Sequence, residues 1–226
     1  MNNTIENTTD YVTQLQACTR CAAAMSCVQV NPMESAQTLK PRPIVLNLMK
    51  KPVMLIGQAP GITEYESGRP FSGDAGQAVR KLFSEAGLGA ESFDRLVHSS
   101  AVAKCFPGSR IARKGEKTRR EDLKPGRQMI GNCQSFMEAE IRLVDPQVIV
   151  LLGKVPLEAY VQWKPAKAQS VNLENWVGRV DTWNGRKVIP LAHTSGLSTW
   201  LNDANHKAQQ ELAKRHLAAS LAQLAR

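Results

Sequence analysis

Aromatic residues make up only 5% of this 226-residue chain, and its 20 acidic residues are outnumbered by 29 Lys and Arg. The shortage of acid leaves a formal net charge of +9, which disfavours cationic partners and points to a polyanion. No apolar run approaches the roughly 18 residues of a membrane span, so no membrane partner is expected. The opening stretch MNNTIENTTDYVTQ lacks the basic-then-apolar pattern of a secretion signal. A cytoplasmic location is therefore expected, where thiols stay reduced and disulfides are disfavoured. The five cysteines then read as metal ligands or as inert core thiols. Neither a G-x-G-x-x-G dinucleotide fingerprint nor a P-loop is present, and no internal repeat is visible.

What is there suits one domain over residues 1–226, long enough to bury a core. Residues 1–14 read as polar and loose, and residues 28–52, with four prolines, as irregular connection. Val53-Met-Leu-Ile56 and Gln147-Val-Ile-Val-Leu-Leu152 are buried strands, each running into a glycine. Leu96–Ala103 is a further strand. Helices are predicted over residues 75–86, with Asp74 and Gln77 as a capping box, then over 126–143 and 155–163. Residues 177–183 and 187–191 read as a hairpin around Asn184-Gly185, and residues 205–225 as an amphipathic helix capped by Asn205. Strands alternating with helices predict a three-layer α/β/α domain with a central, largely parallel sheet. In such sheets ligands sit beyond the carboxyl ends of the strands, where the loops at Gly57, Ala103 and Leu191 converge.

Cys18-Thr-Arg-Cys21 has the spacing that lets two thiolates face one metal. By itself it is a zinc half-site, a cluster half-site, a redox pair or nothing. Cys105 and Cys133 complete a four-thiol set only if the fold brings them back, and such a set suits Zn²⁺ or [4Fe–4S]. Cys27 reads as a core thiol or as a competitor of Cys21.

The loop Gly57-Gln-Ala-Pro-Gly61, taken alone, is a tight turn. In company with Gly68-Arg-Pro-Phe-Ser-Gly73, the AVAKC segment ending at Cys105 and Ile189-Pro-Leu-Ala-His-Thr-Ser-Gly-Leu197, it resembles the uracil-DNA glycosylase superfamily, most closely its iron–sulfur fourth family. The resemblance spans roughly Cys18 to Asn202. It implies a monofunctional DNA glycosylase that hydrolyses the bond between a sugar and uracil, or another deaminated base, to leave an abasic site. Such an enzyme first extrudes the nucleotide from the stack. By resemblance Phe71 is the shelf on which the base stacks, while Gly57, Gln58 and Ala59 offer backbone to its edge. His193 donates to the departing base, where one positioned donor is worth roughly 3 kcal/mol. Glu64 orients water or stabilises the cationic sugar, Ser195 holds a phosphate, and Leu197 wedges the vacated stack. The four cysteines Cys18, Cys21, Cys105 and Cys133 would hold a structural [4Fe–4S] cluster, with zinc as the alternative. A monomer acting on damaged DNA is expected.

The chain departs from the family pattern at several positions. Ala101 stands where an asparagine usually reads the uracil amide edge, which weakens discrimination between bases. Ser99 or Ser100 substitutes only if the strand register shifts. Thr194 replaces a proline, and Ala59 stands where the fastest members carry a water-activating aspartate. Between Cys105 and Cys133 lie 27 residues, more than the family pattern. Residues 108–127 within them hold eight Lys/Arg and three Asp/Glu, either a solvated loop or a device that neutralises phosphates. Two rival readings stand beside the enzyme: a superfamily member that only binds damaged or single-stranded DNA, and an unrelated zinc-stabilised α/β protein.

Overall fold

Apolar runs that end on a glycine or an alanine become the middle of a sheet. The computed structural model describes residues 5–24, 27–28, 37–44, 48–114, 117–164, 171–193 and 200–224. In chain order its elements are α1 (Thr8–Gln16), β1 (Cys27–Val28), β2 (Gln37–Thr38), β3 (Val53–Gly57), α2 (Ile62–Ser67), α3 (Asp74–Glu85), α4 (Ala90–Leu96), β4 (Val97–Ala101), β5 (Ser109–Lys114) and β6 (Lys117–Asp122). They continue with α5 (Arg127–Val144), β7 (Val148–Leu152), α6 (Lys154–Trp163), α7 (Leu173–Trp176), β8 (Asp181–Trp183), β9 (Arg186–Leu191) and α8 (Ala204–Leu224).

The central sheet has the order β4-β3-β7-β9-β8. Its first four strands run parallel, and β8 is added antiparallel at the edge. Parallel strands covered on both faces need apolar side chains on both, and β3 and β7 are buried at every residue. On one face Val53, Leu55, Val150 and Ile189 pack against Val79 and Phe83 of α3, Phe93 of α4 and Leu217 of α8. On the other, Met54, Ile56, Ile149 and Val188 pack against Met137 and Ile141 of α5 and Leu157 and Tyr160 of α6. The result is the three-layer α/β/α arrangement, each fully buried large apolar side chain contributing about 1.5–3 kcal/mol.

Several local expectations are corrected. Residues 8–16 are helical, not loose: Asn7 caps α1 by accepting from the Asp10 amide, and Tyr11 and Leu15 bury one face of the helix. That face meets α5, with Tyr11 edge-on to Phe136. Asp74 is the first residue of α3 and caps nothing; Gly73 holds the cap position. Helix α8 is capped by Asp203, which accepts from the amides of Asn205 and His206, and not by Asn205. Residues 177–180 lie outside the edge strand, although Asn184 and Gly185 both take the positive φ of the primed turn. The basic insertion is an antiparallel hairpin, β5–β6, within a second sheet of order β2-β1-β5-β6. Among the described residues, no helix is long and apolar enough to cross a membrane.

Candidate active site

At the carboxyl ends of β3, β4, β7 and β9 the chain leaves a pocket of about 970 Å³. Gly57, Gln58, Ala59, Glu64, Phe71, Ala101 and His193 all line it. They come from three segments far apart in sequence, brought together because parallel strands deliver their following loops to one edge. Ser195 and Leu197 lie outside the described residues.

The wall built by the two glycine loops is tightly determined. Phe71 has φ of +50°, a conformation that non-glycine residues rarely take. Its carbonyl is pressed against Gly76, where a β-carbon would come within 1.8 Å of the Phe71 oxygen. Its ring rests on Gly57, where a β-carbon would stand 3.0 Å from Cζ. Glu64 joins the loops: Oε2 accepts the Gly61 amide at 3.0 Å and Oε1 the Gly73 amide at 2.9 Å. Hydroxyls of Ser67 and Ser72, 2.8 Å apart, add a second tie. The carboxylate of Glu64 therefore fixes where the aromatic shelf stands.

Behind the shelf, β4 is bound to the GQAPG loop. The amides of Val102 and Ala103 donate to the carbonyls of Gly57 and Gln58 at 3.0 and 3.1 Å. The register pairs Gly57 with Ala101 and Ile56 with Ser100. Ser100 does not take over the missing asparagine position; its hydroxyl donates to Glu140 at 2.8 Å.

Glu140 centres a buried network that sequence reasoning missed. His98 Nε2 lies 2.7 Å from its Oε1, and the Lys104 ammonium pairs with Oε2 while also donating to Ser100. Burial alone would push the Glu140 carboxyl up, but the Lys104 and His98 charges and hydrogen bonds outweigh it and hold the group at about 2. A glutamate inside an amphipathic helix reads as a surface residue; its only sequence signal is its place between Ala139 and Ile141, both buried.

His193 follows β9 and rests beside Gly153, whose β-carbon, if present, would lie 3.3 Å from that of His193. Its pKa falls below the usual histidine value, first through burial and then through the positive charge of Lys124, which follows the hairpin. The imidazole is thus neutral at physiological pH and able to donate one N–H.

The thiols form a second centre beside this pocket. Arg20, inside the CTRC turn, donates to the Asn132 carbonyl and the Ser135 hydroxyl, and Asn132 donates back to the Arg20 carbonyl. These bonds bring Cys18 and Cys21 to Cys133 on α5. The Asn132 side chain reaches Cys21 Sγ at 3.6 Å, and the Lys104 amide donates to Cys133 Sγ at 3.4 Å. Burial pushes the Cys105 thiol up to about 12, with further upward pressure from Cys133, Cys21 and Cys18. Cys21, Cys105 and Cys133 are buried and Cys18 is half-buried. All four share one neighbourhood, although among the described residues no three metal-ligating side chains converge to coordinating geometry. The chemistry of the donor set suits a soft metal centre, since the four thiols share one neighbourhood and the Asn132 and Lys104 amides already point at sulfur. The side chain of Cys27 lies outside what is described.

Residues 43–217 match the family model described as the uracil DNA glycosylase superfamily. The chain belongs to that superfamily. It is 31% identical over 147 residues to the type-4 uracil-DNA glycosylase of Thermotoga maritima, covering 64% of this chain and 65% of that protein. It is 30% identical over 123 residues to the type-4 enzyme of Pyrobaculum aerophilum, covering 54% of this chain and 55% of the relative. The chain thus spans under two thirds of the length of these relatives. Superfamily membership accounts for the glycine-loop pocket, while the hairpin at residues 109–122 and Ala101 are features to be read from this chain itself.

Proposed function

We propose that this protein is a monofunctional DNA glycosylase that hydrolyses the N-glycosidic bond of uracil, or another deaminated base, leaving an abasic site. The observation that carries the reading is the meeting of Phe71 and His193 in one pocket beneath the GQAPG loop. The everted base stacks on Phe71 and offers its edge to backbone around Gly57 and Gln58. As the bond from C1′ to the base nitrogen breaks, its electron pair leaves with the base. The neutral His193 imidazole donates its N–H to the developing oxyanion, a contact worth roughly 3 kcal/mol in the transition state. Water adds to C1′ and releases its proton, and the departing base is ultimately protonated. The Glu64 carboxylate sets its negative charge beside the site while holding Gly61 and Gly73, which supports a role in positioning the shelf and stabilising the cationic sugar. Ser195 and Leu197 are assigned phosphate binding and wedging by resemblance.

Cys18, Cys21, Cys105 and Cys133 would hold a [4Fe–4S] cluster, with zinc as the alternative. When bound, the group supplies a rigid crosslink between the N-terminal turn, the AVAKC segment and α5, and no redox step. Anaerobically purified protein should be brown, with absorbance near 400 nm; colourless, zinc-loaded protein would reject the cluster.

The test of activity is strand scission, after alkali, of an oligonucleotide carrying one uracil, beside hypoxanthine-containing and undamaged strands. Release of uracil supports the reading. Binding without release of any base supports a second one, a DNA-binding member without catalysis, which Ala101 favours because Ser100 is committed to Glu140.

A further inference from the structure

The basic insertion is not a detached loop. Arg119, Arg120, Glu121 and Asp122 of β6 line the pocket. Asp122 Oδ2 accepts the Ile62 amide at 3.2 Å, bolting the hairpin to the end of the GQAPG loop. Burial raises the Asp122 carboxyl and the Glu64 charge adds to the rise, while the Ile62 amide and the Arg120 charge pull it down.

The arginines on the two faces of the hairpin differ in their ion pairing. Arg110 stands opposite Glu121 and Ala112 opposite Arg119, so these four share one face. Glu121 pairs with both arginines there, Arg119 at 3.0 Å and Arg110 at 3.7 Å, and Lys114 and Lys117 hold the next register position of this face. The other face carries Ile111, Arg113, Arg120 and Asp122. Asp122 is occupied with the Ile62 amide, and Arg113 and Arg120 are exposed. Among the described residues, neither arginine forms an ion pair with a carboxylate. Arg120 stands at the pocket, and Arg113 lies two rungs farther along the ladder, about 7 Å toward the tip.

We propose that this face of the hairpin, through Arg113 and Arg120, grips the phosphate backbone of duplex DNA beside the nucleotide everted into the pocket. The inference rests on the reading of the site given above. Two exposed guanidinium groups, neither within 4 Å of a carboxylate among the described residues, are strung outward from the pocket mouth and match a polyanionic strand leaving it, and a guanidinium can clasp a phosphate with two parallel hydrogen bonds.

The test is the salt dependence of binding to a short fluorescent duplex carrying a tetrahydrofuran abasic-site analogue, read by anisotropy. Arg113→Gln/Arg120→Gln should lower the slope of log affinity against log salt by about 1.8, about 0.9 for each phosphate left without its arginine. Arg110→Gln/Arg119→Gln removes the same net charge at the two arginines already paired with Glu121 and should change the slope by less than half as much. Equal changes in the two double variants, or an unmoved slope in the first, would overturn the proposal; the latter is also the outcome if the arm serves an acidic protein. Uracil release by the unaltered protein is scored separately. Binding with the expected slopes but no release keeps the arm and rejects the catalytic reading. Release with an unmoved slope in the first variant rejects the arm alone.

Discussion

The Phe71 ring touches the α-carbon side of Gly57 so closely that a β-carbon at position 57 would stand 3.0 Å from its Cζ atom. Shelf and loop are therefore one unit: the strand that ends at Gly57 sets the height of the ring, and a larger residue there must displace it.

Gly57→Ala should push the ring into the pocket at a cost of about 1–3 kcal/mol of stability and lower uracil release under single-turnover conditions. Gly76→Ala is the harsher change, because a β-carbon 1.8 Å from the Phe71 carbonyl oxygen cannot be relieved by a side-chain rotation. Urea unfolding combined with excision assays separates them: the first should stay folded and slow, and the second should lose most of its stability.

His193→Ala should reduce single-turnover excision by about 10²–10³-fold with the fold intact. The pH profile carries a sharper expectation. The pKa of His193 lies below the usual 6.5 because burial, and then Lys124, disfavour the imidazolium. The neutral donor is present above that lowered pKa, so activity should persist below pH 6.5 and fall only as pH drops through the lowered value. Lys124→Gln removes one of the two causes and should move this acid limb upward. A limb that stays put would remove Lys124 from the site.

Glu140→Gln leaves the buried Lys104 ammonium without its counter-charge and should destabilise the protein by about 3–5 kcal/mol, read from chemical denaturation at neutral pH. The unmodified carboxylate is held at about 2 in the folded state, against roughly 4.3 in an unfolded chain. Its contribution is thus fully present above the unfolded value and is lost as pH falls from there toward the folded one. The difference in stability between wild type and the variant should shrink across that window.

Cys105→Ser should abolish the absorbance near 400 nm in anaerobically purified protein and lower the unfolding midpoint, because binding energy of a metal centre is folding energy. Retention of the full chromophore would exclude Cys105 as a ligand.

The parts that are readable in sequence are those where local chemistry and tertiary role coincide. Val53–Ile56 and Val148–Leu152 are apolar on both faces because helices cover both, and the glycine after each marks where the chain turns into the pocket. The hairpin at residues 109–122 is not readable as strands, since Arg and Lys dominate it and no apolar alternation signals a ladder; it is held by the docking of Asp122 on the Ile62 amide. The N-terminal helix is hidden for a related reason. Its buried face is little more than Tyr11 and Leu15, which acquire meaning only against Phe136. The Glu140 network is invisible without knowing that α5 faces β4 at that level. The neighbourhood of the thiols is legible as a possibility, and its stitching by Arg20 and Asn132 is not.

The amide of Leu123 donates to the carbonyl of Gly108 at 2.8 Å, so the cationic arm enters and leaves through a single closed neck. Everything beyond that neck is a side branch of the polypeptide. Substitutions beyond that neck leave the bond that closes it in place, so the charge of the arm can change while β4 and β7 keep their partners in the central sheet.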